Sequence, residues 1–392
     1  MKILFIHNNY GSNNSGEEHA SQGLANLLER HGHIVEWYRK SSDVVKDSFR
    51  MKIAAFFLGI YNPKAVKELK SKILEFKPDV IQVQNVYPFI SPAILKMINR
   101  LQIPVVMRCP NYRLFCPTGL HLDEKDKVCE KCLTGLKEFN TILKNCEKNL
   151  FKSIGYALRN FFGRTIWKLQ DNMGAYIVQS DFQKNKFIEN GIKSNKLFVI
   201  PGLTPALEIE SSKELGSFVS FIGRASVEKG IVEFLAIAKE LPAIKFAVVG
   251  TLDPSLEALK KETPPNIHWT GFLSGKEYDL FFQKSKIIVV PSKWYEGFPN
   301  VITRAMQHGK QVIPSNIGAM QSIIDHEING LLVEPGNSTQ LKQAVEKLYK
   351  NNEKCKKMGI LGREKAKKEY NDAIIYKELM RTYSFIVKSV NK

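Results

Sequence analysis

Short apolar runs and helix-patterned stretches alternate along the whole chain. KILFIH (2–7), HIVEWY (33–38), VIQVQ (80–84), IPVVMRC (103–109), AYIVQS (175–180) and KLFVIP (196–201) come first. SFVSFIG (217–223), IKFAVVG (244–250), IHWTGF (267–272), KIIVVPS (286–292), KQVIPS (310–315) and GLLVEP (330–335) follow. The runs are apolar without strict alternation and are separated by helical patterns, which predicts parallel strands buried on both faces. Between the two sets, GLTPALEIESSKELGS (202–217) has neither period and carries Gly, Pro and Ser, the composition of a boundary. The expected architecture is α/β: two doubly wound, Rossmann-like domains facing each other across a cleft. Residues 1–201 form the first, 202–216 a linker, 217–370 the second, and 371–392 a C-terminal helix able to cross back over the first. In such sheets ligands sit beyond the carboxyl ends of the strands, so the loops there should hold the chemistry.

Size and composition agree. A chain of 392 residues exceeds what one core usually organises, and a hydrophobic share of 44% is that of a folded protein. The formal charge of +18 is uneven, with 30 basic against 18 acidic residues in 1–200 and 27 against 21 in the rest. Such an excess favours a polyanionic partner, either nucleic acid or an anionic membrane surface. The opening MKILFIHNNYG is too short an apolar run for a secretion signal. IAAFFLGIY (53–61) falls far below the roughly 20 residues of a membrane span. The expected location is the cytoplasm.

Three loops carry candidate chemistry. After the first strand, NNYGSNNSGEEHA places Gly11 and Gly16 ahead of a helix, where backbone N–H groups can approach a phosphate or sugar oxygen; a plain turn has equal standing. FIGRASVEKG (221–230) sets Arg224 at a strand end and Lys229 at a helix start, so both cations can converge on one anion such as a diphosphate. WYEGFPNVITRAM (294–306) places Pro299 at the first position of a helix whose apolar face is Val301, Ile302, Ala305 and Met306. Its free N–H groups form a second anion site. Glu296, beside that positive end, is set to meet neutral donors such as sugar hydroxyls.

FIGRASVEKG, VVGT (248–251), PSKWYEGFPNVITRAM, HGKQVIPSNIGA (308–319) and NGLLVEPGN (329–337), in this order, resemble the donor domain of the retaining GT-B glycosyltransferases of family four, the group 1 type. The first half is similar to the acceptor domain of the same family through GEEHA, VQNVYPFISPAIL (83–95) and NYRLFCPTGL (111–120). The resemblance implies transfer of a sugar from a UDP- or GDP-linked donor to a glycan or polyprenyl-linked acceptor with retained configuration and without a catalytic metal. It further implies a role in surface polysaccharide or lipopolysaccharide synthesis. By resemblance, Glu296, Arg224 and Lys229 are catalytic. The donor positions are Gly16, Gly223, Arg224, Lys229, Gly250, Glu296, Gly297, Phe298, Pro299, Asn300, Val301 and Arg304. This chain departs from the family at four places. Arg304 stands where the family has a ribose-binding glutamate, Pro110 replaces a histidine, Gln82 and Gln84 replace those of HxHN, and Ser322 replaces a glutamate. A guanidinium cannot accept from ribose hydroxyls. Arg304 therefore either adds a third cation to the diphosphate or points to solvent.

Further features leave alternatives open. NLFKSIGYALRNFFGRTIWKLQ (149–170) mixes Lys152, Arg159, Arg164 and Lys168 with aromatics; it suits a membrane-surface helix on the inner leaflet or a core helix with a solvated basic edge. Cys116, Cys129, Cys132 and Cys146 can form a structural zinc site or a set of packed reduced thiols. Histidines 7, 19, 31, 33, 121, 268, 308 and 326 show no metal spacing. Competing readings are a catalytically impaired relative that binds sugars or lipid-linked glycans, a nicotinamide-dependent enzyme without its GxGxxG, and a nucleic-acid module supported by charge alone. The last is set aside for want of any recognition motif.

Overall fold

β1 (Lys2–Asn9), β2 (Ile34–Ser41), β3 (Val80–Asn85), β4 (Val105–Arg108), β5 (Ala175–Val178) and β6 (Leu197–Val199) form one sheet, in the order β2-β1-β3-β4-β5-β6. Every pairing in it is parallel. The structure is a computed structural model that describes residues 1–9, 16–43, 49–209 and 214–390. Gly11 and most of the loop after β1 lie outside the described residues. The central strands β3, β4 and β5 are buried along their whole length, which is why their sequences are apolar runs rather than alternating ones.

Helices cover this sheet because their apolar stripes match its faces. In the helix Gly16–Arg30, Leu24, Leu27 and Leu28 point into the core formed with Ile3, Phe5, Val80 and Val106. The helix Pro63–Phe76 begins as its sequence dictates: the Asn62 side chain accepts from the Ala65 N–H, and Pro63 has no N–H to leave orphaned. The C-terminal helix Asp372–Val390 packs on the same sheet through Ile375, Leu379, Tyr383 and Ile386, and the Tyr383 hydroxyl donates to Gln82 Oε1. The first compact unit thus comprises Met1–Lys125, Cys129–Leu203 and the stretch from Asp372.

The second unit, Thr204–Asn371 with Asp126–Val128, holds a parallel sheet of β7 (Phe218–Ile222), β8 (Lys245–Val249), β9 (Ile267–Gly271), β10 (Ser285–Val290) and β11 (Gln311–Pro314). Its order is β11-β10-β7-β8-β9. One face packs Phe234 and Ile237 of the helix Ile231–Glu240, the other Ile302, Ala305 and Met306 of the helix Asn300–Gln307. GLLVEP, expected as a further strand, makes only isolated bridges, Gly330 with Val312 and Val333 with Ser315. The run lies opposite a strand that ends in Pro314, which has no N–H to return to a ladder.

Candidate active site

β7 and β10 are neighbours, with Val219 opposite Ile287 and Phe221 opposite Val289, so the loops leaving their carboxyl ends emerge side by side. After β7 the chain turns at Gly223, passes through the turn Val227–Lys229, and enters the helix Ile231–Glu240 at Gly230. A Cβ on Gly230 would stand 2.0 Å from the Pro291 carbonyl oxygen, at a φ of 79°, so only glycine lets the turn lie against the loop after β10. The Lys293 N–H donates to the Glu228 carbonyl across the same seam at 2.8 Å. Gly250 plays a like part after β8, where a Cβ would meet the Gly223 oxygen at 2.1 Å.

Lys229 and Glu296 meet on this seam. Lys229 Nζ lies 2.5 Å from Glu296 Oε1, which also accepts from Ser292 Oγ at 2.8 Å and Trp294 Nε1 at 3.0 Å. Glu296 is only 6% exposed, and the Lys229 ammonium stands 5.2 Å from the centre of the Trp294 ring. All three bonds converge on Oε1, leaving Oε2 without a hydrogen-bond donor among the described residues. Arg224 is more open. Its side chain is 53% exposed and pairs with Glu228, whose carboxylate also takes the Ser226 hydroxyl at 2.7 Å. Each cation expected to meet an anion therefore has a carboxylate partner. An exposed pair of the Arg224–Glu228 kind is worth only about 0–1 kcal/mol, so an incoming dianion can displace it.

Pro299 is the N-cap of the helix Asn300–Gln307 rather than its first residue, with φ −79° and ψ 90°. The Ile302 N–H donates back to the Pro299 carbonyl at 2.9 Å, so of the first-turn amides those of Asn300 and Val301 are the ones a helix start leaves open. Asn300 opens the helix and its buried Oδ1 has no partner among the described residues. Val301 is half-buried, and Phe298 packs edge-on against Tyr370 with ring centres 5.5 Å apart. Gly297 lies between Glu296 and Phe298 in the same loop. Gly16 is the exposed first residue of its helix in the first unit.

Arg304 corrects both sequence expectations. It is 8% exposed, and its guanidinium forks onto Asp279, Nε to Oδ1 and Nη2 to Oδ2 at 2.7 Å each. Its Nη1 donates to the carbonyls of Pro205 at 2.5 Å and Ala206 at 3.2 Å. Asp279 is fully buried, accepts the Glu208 N–H at 2.9 Å, and lies 3.1 Å from His308 Nε2. Burial works to raise the Asp279 pKa, but the Glu208 N–H, His308 and Arg304 outweigh it and hold the carboxyl below its ordinary value. Arg304 thus neither reaches for a diphosphate nor faces solvent; it ties two helices of the second unit to the segment following Leu203. Asp279 carries no local signal that would single it out, since its partner is 25 residues away.

The other family departures are settled into the structure. Ser322 donates to the Ala319 carbonyl at 2.9 Å. In the first unit, Pro110 lines a pocket together with Gln84 and Arg108 at the carboxyl ends of β3 and β4. Arg108 was passed over as part of an apolar run, although a polar residue closing such a run at a strand end is a usable signal. His7, buried at the end of β1, has its pKa pushed down to about 4 by burial and by the nearby Arg39 and Arg108, so its ring is neutral at pH 7. The four candidate zinc cysteines form no disulfide: Cys116 Sγ lies 3.2 Å from Thr118 Oγ1 and Cys132 Sγ 3.6 Å from Thr141 Oγ1. Among the described residues no group of three or more His, Cys, Asp or Glu side chains is placed to hold a metal.

The sequence profile of the group 1 glycosyl transferases matches residues 207–365, the second unit with its β7 and β10 loops. The likeness to the group 1 glycosyl transferases is thus carried by the second unit. Among curated relatives, an uncharacterized 42.6 kDa protein in the cps region of Klebsiella pneumoniae is 28% identical, covering 69% of this chain and 66% of its own. An uncharacterized glycosyltransferase of Methanocaldococcus jannaschii is 30% identical over 50% of this chain and 56% of its own. The capsular polysaccharide biosynthesis glycosyltransferase CapM of Staphylococcus aureus is 26% identical over 43% and 46%. The matches thus span less than two thirds of these relatives' length. Among solved structures, sucrose-phosphate synthase from Thermosynechococcus elongatus superposes with a TM-score of 0.74 at 17% identity, covering 99% of this chain and 100% of that one. Anabaena HepE in complex with UDP gives 0.67 at 16%, covering 98% and 100%. These likenesses establish the GT-B fold expected from the motif series.

Proposed function

We propose that the protein is a retaining glycosyltransferase that moves a sugar from a UDP- or GDP-linked donor to a hydroxyl of a glycan or lipid-linked glycan. The observation that carries this reading is the meeting of Lys229 and Glu296 on the β7–β10 seam, with Arg224 in the same loop as Lys229 and the helix start at Asn300 following Glu296 in the other. A departing diphosphate needs preorganised positive charge as the sugar gains oxocarbenium character. Lys229, Arg224 and the amides after Pro299 supply it, and Glu296 Oε2 accepts a sugar hydroxyl. This assignment draws on no metal. The cps-region relative, CapM and the UDP complex of HepE support surface polysaccharide synthesis and a uridine donor.

The test is incubation with a panel of nucleoside diphosphate sugars and short glycan acceptors, following nucleotide release and the anomeric proton of the product. Release from at least one donor with retained configuration is expected; inversion, or no release from any donor, would overturn the reading. A second reading, a relative that binds sugars without transferring them, is favoured by Arg304, whose position offers the ribose no acceptor. Donor binding without release would select it.

Among the described residues no helix is long and apolar enough to cross a membrane. Attachment to the cytoplasmic face of a membrane remains part of this proposal, with its contact surface redrawn. Arg159 is turned inward, its guanidinium over the rings of Tyr87 and Tyr156 at 4.3 Å each, and Arg164 pairs with Glu138 at 2.7 Å. The residues left outward are Ile53 and Phe57 on the helix Phe49–Ile60 and Leu150, Phe151 and Lys152 on the helix Leu150–Thr165. Replacing Phe57 and Phe151 by serine should reduce sedimentation with anionic vesicles several-fold. Unchanged sedimentation would remove the membrane from the account.

A further inference from the structure

The pocket at the carboxyl ends of β3 and β4 is walled by buried polar side chains, Arg108 and Gln84 among them. Arg108, the last residue of β4, is 2% exposed, and its Nη1 has no hydrogen-bond acceptor among the described residues. Burial lowers its pKa and the carboxylate of Glu17 works against that, so Glu17 is a nearby counter-charge. Gln84, 4% exposed on the same wall, leaves both its amide nitrogen and its oxygen without partners among the described residues. Arg113 also lines the pocket, and its backbone is fixed: the Asn111 side-chain oxygen accepts its N–H at 3.0 Å, and Asn160 donates to its carbonyl at 2.8 Å. Arg164, a third lining guanidinium, is already neutralised by Glu138.

Burying a guanidinium is costly unless its N–H groups find acceptors, and Arg108 Nη1 finds none among the described residues. The complement of such a pocket is an oxyanion that takes a charge-assisted bond from Arg108 and a further N–H from Gln84. We propose that this pocket binds an anionic group, a carboxylate or a phosphate, borne by the acceptor, so that the acceptor is an acidic or phosphorylated glycan rather than a neutral one. The inference rests on the transferase reading for the word acceptor, while the anion site itself stands on Arg108 and Gln84.

The test is a ligand-detected NMR titration of the full chain with three probes: methyl β-glucuronide, glucose 1-phosphate and neutral methyl β-glucoside. A charged probe should bind at least about tenfold more tightly than the neutral one, the scale of one charge-assisted hydrogen bond. The margin should vanish in Arg108→Gln. Gln84→Glu, which keeps the side-chain shape and adds a like charge, should abolish it as well, and serves if Arg108→Gln does not fold. Preference for the glucuronide identifies a uronate acceptor, and preference for the phosphate a sugar phosphate or a phospholipid-linked glycan; both support the proposal. Equal binding of all three probes, or a margin that survives in both variants, would overturn it. UDP and GDP titrated into the same samples separate the two readings. Donor binding without anion preference sinks only this inference, whereas anion preference without binding of any nucleotide sinks the transferase reading.

Discussion

Asp279→Ala should destabilise the second unit by about 3–5 kcal/mol, the usual cost of removing one partner from a buried ion pair. The substitution strands the Arg304 guanidinium, 8% exposed, with only the carbonyls of Pro205 and Ala206 and the Gln307 amide oxygen to bond. It also frees the Glu208 N–H and removes the carboxylate facing His308. Removing both charges with Asp279→Ala and Arg304→Met together should cost less than Asp279→Ala alone, because no unpaired charge is left behind. Arg304→Glu, which gives the position the family's residue, should destabilise too, since it sets a second carboxylate against Asp279. The pair also has a pH signature. Its folded-state carboxyl pKa lies below the ordinary value of 3.8, so its stabilisation is complete above that value and is lost as pH falls through the folded one. Chemical denaturation followed on this unit measures all three variants. A loss under about 1 kcal/mol for Asp279→Ala would show that Arg304 is solvated in solution.

Lys229→Ala should lower turnover by about 100-fold or more, within the range seen when one preorganised charge-stabilising group is removed. Two losses combine in it. The departing diphosphate loses a cation, and Glu296, 6% exposed, loses its counter-charge and keeps only the Ser292 hydroxyl and Trp294 N–H. Arg224→Ala should cost less, because its side chain is 53% exposed and its charge is screened. Steady-state rates with a saturating donor distinguish these outcomes. If Lys229→Ala stays within a few-fold of the parent, Lys229 is a structural partner of Glu296 and no part of the chemistry.

The parallel sheets were legible because their central strands are buried on both faces. VIQVQ and KIIVVPS announce β3 and β10 without reference to anything distant. The same logic overreached at GLLVEP, whose apolar composition is that of a strand but whose neighbour ends in Pro314. The Lys229–Glu296 pair was not legible: the sequence set Lys229 with Arg224 on one anion and Glu296 against neutral hydroxyls, whereas the fold gives each cation its own carboxylate. Arg304 was not legible. The sequence left it a third cation or a solvent-facing side chain, and nothing local could show that Asp279, on another helix, waits for it. Arg159 failed likewise: a helical wheel counts it as a basic edge, while the fold turns it onto two tyrosine rings. Pattern reports which face is apolar, and tertiary neighbours decide where a long cationic side chain ends.

The measurement that bears most directly on the account is calorimetric titration of UDP and GDP into the parent and into a variant carrying Arg224→Ala and Lys229→Ala. One nucleotide should bind the parent with release of heat, and its affinity should fall by about 100-fold in the variant, as expected when two charge-assisted contacts to a diphosphate are lost. Equal affinity in the two proteins would contradict the claim that the β7–β10 seam is where the donor is held.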